Sequence, residues 1–458
     1  MMMPHKLRLL GVSALLCFAA PLSAQESLMD IYQRALQNDP MIREAEARYL
    51  ANVEVRPQAR AQLLPQLQFS SRISGSFQEQ SNVINPVTGT LEAGQEQESD
   101  SRNWQLSVNQ AIFDWSRILT LKQSEKRVAQ AEIEYEAAKQ QLLLRVAEAY
   151  FNVLAAEDSL EAQVVARQAF ERQLEQAQRR FEVGLIARTD VEETQAAFDR
   201  SVAAEIEAQR LLATAQEQLR EIIGEYVVDL ASPGDDLPLV PPDPQDPDQW
   251  VRAALEQNLA LIAARLQAEI AQDDVRLARA DRLPRLTLSS SYNSDEGDGE
   301  TRVAGVPTPR PFSREVEGYN WSINLTVPLF TGGLNSSRIQ QSVYNHRASV
   351  QAVERVARET ERATRDAYLG VMSSISQVRA LRQAVASAQT ALEATEAGYE
   401  VGTRTSVEVQ TSLEALTRAQ TDYAAARYNY ILNRLRLMQA AGTLAVSDIE
   451  LVDGWLGR

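Results

Sequence analysis

The sequence is written twice, and that constrains the fold more than any other feature. Phe181-Glu182-Val183-Gly184 recurs as Tyr399-Glu400-Val401-Gly402, a shift of 218 residues. The same offset holds without a gap from Ala149-Tyr150, matched by Ala367-Tyr368, to Gly224, matched by Gly442. Upstream, with small changes of register, Leu64-Pro65 pairs with Leu283-Pro284, Asn103-Trp104 with Asn320-Trp321, and Ile112-Phe113 with Leu329-Phe330. A repeat this long implies two copies of one structural unit. The copies occupy 25–231 and 248–442, joined by a Pro- and Asp-rich linker at 232–247 and followed by a tail at 443–458; proline in the linker denies it both helix and ladder hydrogen bonds.

Each copy contains two strictly alternating segments, which predict strands at about 65–78, 103–113, 284–293 and 319–330. The clearest sets Tyr319, Trp321, Ile323, Leu325, Val327 and Leu329 against Asn320, Ser322, Asn324 and Thr326. Period two with one apolar face is a strand signal. A length of about 10 residues, aromatics near the ends and small polar residues on the other face fit a transmembrane strand. Four strands cannot close a barrel, and an open edge in lipid would leave N–H and C=O groups without partners. Several chains must therefore complete it: two would give eight strands, three would give twelve. Between the paired strands, 78–102 and 293–318 are rich in Gly, Ser and acidic residues and read as extracellular loops.

The rest of each copy is helical. From Ser116 to Val183 there is neither Gly nor Pro, and a second such run extends from Leu185 to Ile223. At 1.5 Å per residue the first spans about 100 Å and the second about 60 Å, a column far longer than a barrel is tall. A shorter helix is expected before the first strand, from Ser27 to Leu63. Val409, Leu416, Tyr423, Tyr430 and Leu437 recur every seven residues, and Phe170, Leu174, Ala177 and Phe181 follow the 4-3-4 spacing of a coiled-coil seam. These stripes are packing residues.

Residues 1–24 read as a secretory signal: Lys6 and Arg8 precede an apolar run from Leu9 to Ala20, and Leu22-Ser23-Ala24 offers a small residue at the cut. Cys17 lies inside that run, so cleavage leaves no thiol for disulfides, zinc or nucleophilic chemistry. The chain after the signal keeps 44 basic against 62 acidic residues, a balance that argues against nucleic acid. His346 is its sole histidine, and neither a phosphate loop nor a nucleophile elbow is present. No enzyme, cofactor or metal site is expected, so any transport must draw its energy from elsewhere.

The doubled set Phe181-Glu-Val-Gly-Leu-Ile-Ala-Arg-Thr-Asp-Val191 and Tyr399-Glu-Val-Gly-Thr-Arg-Thr-Ser-Val-Glu-Val409, with Ala111-Ile-Phe113 and Pro328-Leu-Phe330 where strands return to helix, resembles the TolC family of outer-membrane efflux and secretion channels over residues 25–458. The resemblance implies an α+β membrane protein: a homotrimer with a 12-stranded barrel in outer-membrane lipid, continued by an α-helical coiled-coil tunnel across the periplasm. It also implies a passive exit duct of a tripartite pump or type I secretion system. Its partners would be a periplasmic adaptor and an inner-membrane transporter of ABC, RND or MFS type. A soluble periplasmic coiled-coil scaffold, its short strands forming an end cap, is the competing reading. Cargo is not written in the sequence.

Both glycine-centred loops are expected at helical tips. Gly184 and Gly402 would end the long helices in left-handed conformation, and Thr189–Glu192 and Thr405–Glu408 fit Ser/Thr-x-x-Glu capping boxes that start the next. The resemblance adds function. Tyr399 and Arg404 would hold the inner hairpin through links involving Asp190, and Glu408 would form an acidic ring. Gly184, Leu185, Gly402 and Thr403 would be the adaptor-docking tips. Thr411 stands where the family's best-known member has a second acidic residue.

Overall fold

A computed structural model describes residues 25–456, apart from 85, 86, 88, 228, 235 and 236. The expected signal at 1–24 lies outside the described residues. The element order repeats as the sequence does. Helices α1 (Leu28–Asn38), α2 (Pro40–Val53) and α3 (Val55–Ala61) lead into strand β1 (Gln66–Gln80), a small ladder of β2 (Val83–Ile84) and β3 (Leu91–Glu92), and strand β4 (Gln95–Phe113). Then come the long helices α4 (Trp115–Glu182) and α5 (Arg188–Ile223). The second copy runs α6 (Pro247–Gln257), α7 (Leu259–Ala280), β5 (Arg285–Val303), β6 (Arg310–Thr326), α8 (Leu334–Glu400) and α9 (Ser406–Ala441), followed by α10 (Val446–Asp453). The single helix expected before the first strand is three, because Asp39 and Pro40 restart the helix: the Asp39 side chain accepts from Met41 N–H with Pro40 at the first position.

The four long strands form one antiparallel sheet, β1-β4-β5-β6. Its register sorts the side chains. Leu67, Val108, Ser290 and Trp321 share a row, as do Phe69, Leu106, Tyr292 and Tyr319; the alternate rows hold Gln68, Ser107, Ser291 and Asn320, or Gln66, Asn109, Ser289 and Ser322. The apolar face is open: Phe69 is 66% and Tyr319 81% exposed. Trp104 bridges two neighbours on it, 6.5 Å from Phe69 and 5.3 Å from Tyr292 between ring centroids. So large an exposed apolar surface marks an interaction face, and no helix among the described residues is long and apolar enough to cross a membrane. Strands extend beyond the alternating apolar segments, into the stretches expected as loops. The 19 residues of β4 and of β5 reach roughly 60 Å at about 3.3 Å each.

The helices stack end to end along α4 and α8. Where α5 ends, Asn38 of α1 donates to the Ile223 carbonyl (3.0 Å); where α9 ends, Asn258, at the start of α7, donates to Ala440 (3.0 Å). Two repeats thus solve one problem, the unpaired carbonyls of a helix terminus, with the same side chain. Around this level sits the main core, with Tyr150, Phe151, Ile223, Tyr430, Ile431 and Leu435 almost wholly buried. Matching tyrosines pin the inter-repeat segments: Tyr150 donates to Ala231 O (2.6 Å), and Tyr368 to Gln245 O. Segment 232–247 is strapped across α9, since Arg427 donates to the Pro233 and Gly234 carbonyls and Tyr430 OH accepts from Val240 N–H (2.9 Å). Ile449, Val452 and Leu456 of the tail are buried, and Asp453 accepts from Met29 N–H.

Candidate functional site: the paired helical tips

Farthest along the chain from the sheet, α4 turns into α5 and α8 into α9. A second, smaller core holds the two hairpins together, with Phe170, Ala197, Leu392, Val409, Leu413 and Leu416 buried and Tyr399 packed against it. The stripe through Phe170, Leu174 and Ala177 is buried, but Phe181, its next position, is 43% exposed. Packing runs out at the tip.

Both turns stop their long helix in the same way. Gly184 and Gly402 have φ of 76° and 79°. Leu185 N–H returns to Arg180 O (2.9 Å) and Thr403 N–H to Gly398 O (2.8 Å), the six-residue closure that satisfies orphan carbonyls. The restarts differ. At α9, Thr405 Oγ1 accepts from Glu408 N–H (3.3 Å) while Glu408 accepts from Thr405 N–H (2.7 Å), a complete capping box. At α5 the box expected at Thr189–Glu192 does not form. The helix begins two residues earlier than that box requires, at Arg188, so Ala187 is the cap position and it is Asp190 that accepts from Ala187 N–H (3.3 Å). Only half a box is possible there, because alanine has no acceptor.

The structure brings Asp190, Tyr399, Gly402 and Arg404 around one cleft of about 570 Å³, between the two tips. Within the chain, none of Asp190, Tyr399 and Arg404 bonds another. Arg404 pairs instead with Glu408 (2.6 Å) in its own hairpin. Tyr399 is covered by the Arg180 guanidinium, 4.5 Å from its ring centroid, so a cation–π pair adds to that core in tying hairpin to hairpin. The Thr405 N–H and Arg404 guanidinium hold the Glu408 carboxyl below the usual carboxylate range. Leu185 is 73% exposed, and the Gly184 and Gly402 positions are open.

Two contributors were missed from the sequence, Arg180 and Gly398. They occupy the same position in the two copies, just before the matched Phe181-Glu-Val-Gly and Tyr399-Glu-Val-Gly motifs, but 176–180 and 394–398 differ at every position, so nothing in the sequence singled them out. Gly398 is needed because Arg404 folds back over it: a Cβ there would lie 2.6 Å from Arg404 Cγ. The arginine in the first copy reaches across to Tyr399, while the glycine in the second makes room.

Comparisons with known proteins agree with this architecture. The outer membrane efflux protein family matches residues 31–225 and 250–443, one match per repeat. Outer membrane protein TolC of Vibrio cholerae is 36% identical over 453 residues, with 98% of each chain covered. The alkaline protease secretion protein AprF of Pseudomonas aeruginosa is 30% identical, covering 93% of this chain and 86% of its own. Among solved structures, the outer membrane protein VceC of Vibrio cholerae has the same fold, with a TM-score of 0.70 at 19% identity over 91% of this chain and 96% of that one. Family membership and an open apolar sheet face both disfavour the soluble scaffold. The chain belongs to the outer membrane efflux protein family, alongside the TolC proteins, and is an exit duct of the outer membrane whose helical part lies in the periplasm.

Proposed function

We propose that three copies close one barrel of twelve strands and that the paired tips are the gate of the duct. The open sheet carries this reading: among the described residues β1 and β6 each have one edge without a strand partner, and lipid tolerates no open edge. Such a duct performs no chemistry. Opening it requires only that the inner hairpin, α8–α9, swing away from the outer one, α4–α5. What resists this is the small apolar core of Phe170, Ala197, Leu392, Val409, Leu413 and Leu416 and, nearer the tip, the Arg180–Tyr399 contact between hairpins; the Arg404–Glu408 pair lies within one hairpin. Asp190, on the wall of the same cleft, is placed to take Tyr399 or Arg404 of a neighbouring copy in the closed ring. Glu408, held charged by its cap and by Arg404, contributes one carboxylate per copy to a constriction. Gly184, Leu185, Gly402 and Thr403 form the blunt, exposed end that a periplasmic adaptor would grip.

By likeness to TolC and AprF, the partners are that adaptor and an inner-membrane transporter of ABC, RND or MFS type. Replacing Tyr399 by Phe together with Arg404 by Ser should raise single-channel conductance in planar bilayers, and Glu408→Ala should weaken block by multivalent cations. Unchanged conductance and block in both would remove the gate assignment while leaving the duct intact.

A further inference from the structure

The sheet separates charge by face beyond its aromatic rows. Continuing the apolar face away from the helices, carboxylates outnumber cations: the register opposes Asp100–Asp298, Glu98–Glu300 and Glu296–Glu315, with Arg102 beside Glu296 and Arg302 beside Glu96. The other face is the lumen face of a closed barrel, and nearer the helices it carries serine, asparagine, glutamine and threonine, with Arg285 at its near end paired to Asp281. At its far end it becomes basic. Arg72 stands in the row of Asn103 and Asp295, Arg314 in the row of Ser74 and Gly297, and Arg310 in the row of Gln97 and Thr301. Asp295 is the one carboxylate in these rows, and it is taken up by Asn103 and Asn293. All three arginines are exposed.

Their positions across the sheet matter as much as their face. Arg72 lies on β1, and Arg310 and Arg314 lie on β6, the two edge strands. Closing a barrel sets β6 of one copy beside β1 of the next, antiparallel because the strands alternate in direction. Arginines from opposite edges of one chain thereby come to line the two sides of each seam. Between Arg310 and Arg314, on the same face, Phe312 lies over Gly299, where a Cβ would sit 2.7 Å from the ring. The glycine makes room for the Phe312 ring, which stands between the Arg310 and Arg314 positions along the strand.

We infer that the seams of the extracellular mouth are anion-binding sites, each built from Arg72 of one copy and Arg310 and Arg314 of the next, that engage solutes carrying several phosphate or carboxylate groups. Guanidinium forks pair with such groups bidentately, and acidic residues on the outer face keep the two charges apart. This rests on the trimeric duct reading. The mouth and the periplasmic constriction then carry opposite charge, so each end of the duct answers to a different ion.

The test is single-channel recording in planar bilayers at about 0.1 M salt, where screening beyond roughly 10 Å leaves close pairs intact. Tripolyphosphate should block wild-type pores from the extracellular side and not from the periplasmic side. Replacing Arg72, Arg310 and Arg314 together by Ser should raise the half-blocking concentration about ten-fold or more, equivalent to ~1.4 kcal/mol of lost binding, with block by multivalent cations from the periplasmic side unchanged. If the triple variant does not assemble, Arg314→Gln alone should weaken the block in the same direction. Absence of extracellular block in wild-type pores, or equal block of the variants, overturns the anion site and leaves the duct standing. If the wild-type protein forms no pores at all, the duct reading fails and the anion site with it.

Discussion

Gly402→Ala isolates what holds the tip. Its backbone has φ of 79°, and an added Cβ would find nothing within 4 Å. No packing changes, so the cost is the left-handed conformation alone, about 1–2 kcal/mol. That corresponds to a factor of roughly 5–30 in a local equilibrium. The bonds at stake are those from the Thr403 and Arg404 N–H groups to Gly398 O, at 2.8 and 3.2 Å. Hydrogen exchange followed by peptide mass spectrometry should show segment 398–405 exchanging roughly 5–30 times faster. The core around Tyr150 and Tyr430 should keep its rates, because it shares no contact with the altered turn. Under the gate assignment, open events in bilayers should become more frequent in the same proportion. Unchanged exchange at 398–405 would refute the argument that left-handed geometry closes this turn. Acceleration throughout the chain would refute the independence of the tip.

Gly442→Ala should behave very differently, since its Cβ would fall 2.3 Å from Gln257 O and 2.7 Å from Asn258 N, backbone atoms of the α6–α7 junction; thermal unfolding in detergent should show a clear loss of melting temperature, larger than for Gly402→Ala. Tyr430→Phe should cost about 0.5–1.5 kcal/mol by removing the hydroxyl that links α9 to the Pro238 and Val240 backbone, measured by denaturant unfolding. The Glu408 carboxyl is depressed by its folded partners, so its contribution to the tip is fully present above the ordinary glutamate value and is lost as pH falls through the lower folded value; protection from exchange at 405–409, taken relative to the intrinsic rate at each pH, should be constant from pH 8 to 5 and fall only below.

The repeat, the four strands and the helical hairpins were legible because each rests on periodicity. The ends of the strands were not. Beyond the aromatic rows the outer face carries Asp100, Glu98, Asp298 and Glu300, so the apolar-polar contrast vanishes while the period of two persists, and only pairing between strands reveals the ladder. The start of α5 was misread for a related reason. Thr189 and Glu192 have capping-box spacing, but a helix starting at Arg188 places Asp190 three residues after Ala187, and the geometry of the preceding turn decides which acidic residue is used. The residues proposed for the gate came from resemblance. Arg180 and Gly398, which contact them, lie where 176–180 and 394–398 differ at every position, so the comparison of the copies did not single them out.

The central claim is that several copies of this chain complete one membrane-spanning barrel. Native mass spectrometry of the particle extracted by detergent, after the membranes have been washed at alkaline pH, tests it most directly. The account predicts that the chain resists the wash and appears at the mass of three copies. A single copy released by the wash without detergent would contradict it.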